Sequence, residues 1–89
     1  MRRCDVRFSG HVQGVGFRYT TRSIAARFAV TGYVENLPDG TVHMVAEGEP
    51  PELDALLAEI QQEMAGYIRE TSVHYLEPNG EFHSFGIRT

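Results

Sequence analysis

Gly10-His11-Val12-Gln13-Gly14-Val15-Gly16-Phe17-Arg18 joins an alternating run to an amphipathic one, and this junction organises the chain. Before it, residues 3 to 9 place Cys4, Val6 and Phe8 on one face and Arg3, Asp5 and Arg7 on the other, the pattern of a half-buried strand. After it, from about Tyr19 to Ala29, Ile24, Ala25, Phe28 and Ala29 recur at helical spacing. Gly14 and Gly16 let the backbone curl so that successive N–H groups point into one hollow. A helix starting just beyond adds the positive end of its dipole, and the Arg18 guanidinium offers a planar fork matched to two phosphate oxygens. These residues predict a small oxyanion cradle. The same spacing also fits a glycine-rich strand-to-helix turn that carries a surface arginine.

Outward from the junction, Gly32 ends the helix or begins the next strand, and Tyr33 to Leu37 reads as a second strand. Pro38-Asp39-Gly40 signals a tight turn. Thr41 to Glu47 alternates again, so the second and third strands form a hairpin. Pro50 or Pro51 suits a first helical turn. Leu53, Leu56, Leu57, Ile60 and Met64 then trace one helical stripe with acids outside it. Ala65 to Glu70 reads as a connection and Thr71 to Glu77 as a fourth strand. Pro78-Asn79-Gly80 makes a turn, and Phe82 to Arg88 forms a short last strand with Phe85 and Ile87 inward. The order βαββαβ plus a terminal strand predicts an α+β ferredoxin-like sandwich: a mainly antiparallel sheet with two helices on one face.

Composition narrows the function. The 89 residues are expected to form a single domain spanning 1–89. Eight basic against 12 acidic residues give a net charge of -4, which argues against nucleic acid as a partner. An anion site must therefore be local, built from N–H groups and one or two arginines. Cys4, the single cysteine, falls in the strand pattern and reads as a small core residue, not a nucleophile. No run is apolar enough for a membrane span and no leader is read, so a cytoplasmic monomer is expected. His11, His43, His74 and His83 lack ligand spacing and read as solvated strand or loop residues, so no metal is expected. Glu49, Glu52, Asp54, Glu59 and Glu63 read as a solvated helix face. The glycines are not followed by lysine, so the loop does not match the Walker-type nucleotide pattern.

A second motif, Gly32-Tyr33-Val34-Glu35-Asn36 with Gly40 and Val42, stands beside the first. Together the two motifs, the chain length, the element order and the terminal Phe85-Gly86-Ile87-Arg88 resemble the acylphosphatase family. The resemblance implies an enzyme that hydrolyses the carboxyl–phosphate bond of small-molecule acyl phosphates, with no metal, nucleotide cofactor or phosphoenzyme. It implies that Arg18 binds the phosphate and that Asn36 positions the attacking water. It also implies that the backbone N–H groups of Gln13, Gly14, Val15, Gly16, Phe17 and Arg18 surround the phosphoryl oxygens. From the residues alone, the favoured reading of Asn36 is a turn residue bonded to local backbone, and Phe17 is a packing residue. Glu35 stands where the family commonly has a basic residue. Alternation puts it on the face opposite Asn36, where it could pair with an arginine such as Arg7 or select a cationic substrate.

Two other classes compete with a hydrolase. A non-catalytic phosphate or carbamoyl-phosphate binding or regulatory module would keep the cradle without needing Asn36. An RNA-binding sheet of the same topology would need a basic, aromatic strand run that this chain lacks.

Overall fold

The strand that leads into the glycine loop, β1 (Arg2–Gly10), is paired on both sides in a five-stranded sheet. A computed structural model describes residues 1–89. After β1 come α1 (Phe17–Ala25), β2 (Val30–Asn36), β3 (Val42–Gly48), α2 (Pro50–Glu63), β4 (Ile68–Leu76) and β5 (Phe85–Arg88). The sheet order is β4-β1-β3-β2-β5. β1 pairs antiparallel with β3 and β4, and β2 antiparallel with β3. β5 lies parallel to β2, so the sheet is mixed at one edge. Both helices cover one face, and the fold is the ferredoxin-like α+β sandwich.

Alternation decides which residues meet the helices. Cys4, Val6 and Phe8 from β1, Val34 from β2 and Val42, Met44 and Ala46 from β3 are fully buried. Leu53, Leu56, Leu57 and Ile60 of α2 and Met64 just past its end close the core, as their spacing predicts, and Ile24 and Ala25 do so from α1. Burial pushes the Cys4 thiol up to about 11, which leaves it protonated and inert, consistent with a packing residue.

The element boundaries differ from the sequence reading for local reasons. α1 begins at Phe17, two residues before Tyr19, because Gly16 adopts φ 77° and turns the chain directly into helix. It ends at Ala25, short of Ala29. The Arg27 and Phe28 N–H groups reach back three residues, to the Ile24 and Ala25 carbonyls, and tighten the chain into a turn. Gly32 lies inside β2 and belongs to neither helix end nor strand start. A Cβ there would sit 1.9 Å from the Val45 carbonyl oxygen. β4 starts at Ile68, inside the expected connection, because a bulge at Ser9/Gly10 lets Gly10 pair with it. β5 starts at Phe85, and Phe82 instead packs its ring against Tyr33 and the Arg3 guanidinium.

One buried charge fastens the β4–β5 connection. Glu47, 2% exposed, accepts hydrogen bonds from Arg3 Nε at 2.8 Å and from the Asn79 and Gly80 N–H groups at 3.0 and 3.1 Å. Arg3 also bonds Glu81 and the Asn79 side chain. Burial works to raise the Glu47 carboxyl. The Asn79, Arg3 and Gly80 hydrogen bonds and the Arg3 charge together outweigh it, and the group is held below the ordinary value of 4.5. A folded-state value lower than the unfolded one gives stability that is present above the unfolded value and is lost as pH falls through the folded one. The melting temperature is therefore expected to drop below about pH 4.5. Glu47→Gln should lose about 2 kcal/mol at neutral pH and show a shallower acid decline than the parent. Thermal melts from pH 7 to 3 check both.

Candidate active site

The loop between β1 and α1 is held open by backbone geometry. Gly14 and Gly16 have φ values of 78° and 77°, a left-handed conformation that a side chain rarely adopts. Left-handed Gly16 followed by right-handed Phe17 turns consecutive N–H groups inward. The chain itself satisfies none of them. The His11 N–H bonds the Tyr67 carbonyl, and the next N–H with a backbone acceptor is that of Thr20, bonded to Gly16 at 3.0 Å. No side chain caps α1, and no acidic residue lies in its first turn. The N–H groups of Gln13 through Tyr19 are thus free donors at the positive end of a helix.

Gly14, Gly16, Phe17, Arg18, Tyr19 and Asn36 line one small cleft of about 110 Å³. That is room for a small group such as a phosphoryl with a water beside it. Arg18 comes from the first turn of α1. Asn36 comes from the last position of β2, on the same strand face as buried Val34. Its Oδ1 is buried and has no hydrogen-bond partner. A buried amide oxygen left in this way costs about 1–3 kcal/mol, so Asn36 is not a turn residue serving local backbone. Asn36 thus brings to the cleft an amide whose Oδ1 no group in the chain engages.

The sequence-predicted residues divide by role. Gly14, Gly16, Phe17, Arg18 and Asn36 converge on the cleft. Phe17, 2% exposed, turns its ring into the core, 5.0 Å from the Phe8 centroid, and pins the loop from beneath. Val15 packs its side chain partly against the core, which leaves its N–H as the group it can offer. Gln13 donates from Nε2 to the Leu37 and Thr41 carbonyls at 2.8 and 2.9 Å. This side chain straps the loop to the neck of the β2–β3 hairpin, one residue beyond Asn36. Sequence reasoning assigned Gln13 only a backbone role and did not find the lining residue Tyr19. An exposed aromatic at the third helical position carries no signal in a periodicity reading.

Glu35 faces away from the cleft, as alternation requires, but its partner is not Arg7. His43 Nδ1 lies 2.9 Å from Glu35 Oε2, and its Nε2 lies 3.0 Å from Asp5 Oδ1. His43 is therefore a half-buried bridge between two carboxylates, not the solvated residue that its spacing suggested. Arg7 approaches Asp39 instead, at 3.7 Å. The acidic face of α2 is also partly engaged: Glu52 accepts the Ala29 N–H at 2.8 Å, and Glu59 and Glu63 lie near Arg27.

Known proteins share this sequence pattern and fold. A sequence model of the acylphosphatase family matches residues 4–87. The acylphosphatase of Methanospirillum hungatei is 44% identical over 77 residues, covering 86% of this chain and 85% of that protein. That of Methanocella arvoryzae is 42% identical over 81 residues, covering 90% and 92%. The crystal structure of acylphosphatase from Bacillus subtilis superposes with a TM-score of 0.90 at 28% identity, over 100% of both chains. With the glycine loop, its arginine and the strand-end asparagine in one cleft, and with matches that span nearly the whole sequence, the chain belongs to the acylphosphatase family.

Proposed function

We propose that this chain hydrolyses acyl phosphates to a carboxylate and inorganic phosphate, with Arg18 and the loop N–H groups holding the phosphoryl group and Asn36 holding the water. The observation that carries this reading is the convergence of the unpaired loop N–H groups, Arg18 and the Asn36 amide on one cleft. A water that donates one hydrogen to Oδ1 keeps a lone pair for phosphorus. The new P–O bond forms as the P–O bond to the acyl group breaks on the far side. The carboxylate leaves with the bonding pair, and the water's two protons end on the released dihydrogen phosphate. The carboxylate is a weak base and departs without a general acid. The remaining demand is positioning and charge stabilisation on the phosphoryl oxygens, which N–H donors and a guanidinium supply.

The carboxylate's ease of departure leaves no task for a Lewis acid, and the proposal holds that the reaction is metal-independent. A phosphate-binding or regulatory module without turnover would require the donors but not the unpaired acceptor. The proposal further holds that residues 1–89 act as one domain and as a cytoplasmic monomer with no nucleic-acid partner. The single 17-residue core supports one domain, and the net charge of -4 argues against a nucleic-acid partner. No helix is long and apolar enough to cross a membrane.

Hydrolysis of benzoyl phosphate beside an aryl phosphate monoester, each with and without EDTA, tests the function. Turnover of the acyl phosphate alone, unchanged by chelator, is expected. Comparable turnover of the monoester, or its loss in EDTA, contradicts the scheme.

Two substitutions separate the roles. Arg18→Lys keeps the charge but loses the bidentate fork, and should lower kcat/KM by about 3 kcal/mol in transition-state terms while weakening inhibition by phosphate. Asn36→Ala should reduce kcat by ~100-fold with little change in phosphate inhibition. Steady-state kinetics with phosphate as competitor check both. Parallel loss of phosphate affinity in Asn36→Ala would mean that Asn36 holds the cradle and not the water.

A further inference from the structure

The cleft accounts for the phosphoryl group but gives the acyl group no place, and the outer face of α1 offers one. Tyr19 lines the cleft and is 61% exposed, an unusual position for a large aromatic side chain. Arg22, one turn further along α1, lies over its ring at 5.3 Å from the centroid and fixes the ring's orientation. Ser23 and Ala26 continue the same exposed stripe at i+4 and i+7 from Tyr19. The stripe runs into a depression of about 490 Å³ between α1 and β5, which Arg22, Ser23 and Ala26 share with Phe28, Val30 and Phe85. Phe28 and Phe85 are only partly buried against the core. No carboxylate lines this depression, and five of its seven lining residues are hydrophobic.

In-line displacement sends the leaving carboxylate away from the water at Asn36. Among the side chains that line the cleft, Tyr19 is the exposed one and marks its mouth. Arg22 lies about 6 Å and Ala26 about 12 Å further along the helix than Arg18. We infer that the acyl end of the substrate lies along α1, across Tyr19 and into the near end of the depression at Arg22 and Ser23. The site thereby favours acyl phosphates with an apolar acyl group of about six carbons or more over short ones, by the match of length to helix rise. This rests on the acyl phosphate hydrolysis proposed above.

The test compares kcat/KM for hexanoyl phosphate and acetyl phosphate in the parent chain, in Tyr19→Ala and in Ser23→Glu. Inorganic phosphate, which has no acyl end, serves as a competitor that reports the cradle separately. The parent should prefer hexanoyl phosphate by about tenfold, through KM. That ratio should fall towards one in both variants, because one loses the ring and the other puts a charge in the apolar depression. Equal kcat/KM for the two substrates in the parent overturns the inference while leaving the hydrolase intact, as does a ratio that is the same in all three proteins. Absence of turnover on either substrate removes the hydrolase reading and this inference with it.

Discussion

A run of backbone N–H groups with no acceptor in the chain is the feature around which this fold is arranged. Gln13 through Tyr19 have no acceptor within the chain, and the structure keeps them so from several directions. The left-handed glycines prevent the loop from folding onto itself. Phe17 anchors it to Phe8, a core residue of β1. Gln13 ties it to the β2–β3 neck, and the α1 dipole reinforces every donor. An anion that accepts from these groups supplies what the chain withholds. Arg18, placed where a cation opposes the helix dipole, is comfortable only with such an anion beside it.

The two faces of the sheet divide the labour at β2. Asn36 shares the helix-covered face with Val34 and brings one unpaired acceptor to the donors. Glu35, its neighbour, points to the opposite face and is bound by His43. A negative charge one residue from an anion site is thus directed away from it and engaged. The hairpin that carries both residues is closed at the same end by Gln13, so one strap positions the cradle and the asparagine together.

What could be read in the sequence was whatever depends on near neighbours. Alternation located β1 and the inner residues of β3, the stripe from Leu53 to Met64 located α2, and the glycine pair with Arg18 located the cradle. What was hidden depends on register. Glu35 and His43 are direct partners across β2 and β3, and Asp5 reaches His43 diagonally from β1, a meeting that no spacing within one segment reveals. The same holds for Glu47, which looks like the outer residue of an edge pattern until Arg3 and the turn at Asn79 close over it. Gln13 and Tyr19 were obscured for another reason. Each acts through a side chain whose direction is set by the loop's left-handed turns, and periodicity does not describe such a segment.

Amide chemical shifts on titration with inorganic phosphate test the central claim most directly. The N–H groups of Gln13 to Tyr19 and the Arg18 guanidinium should shift together along one saturable curve, while amides paired within β1 and β3 stay still. Shifts scattered over the basic surface, or a loop whose amides do not respond, would contradict a cradle built from these donors.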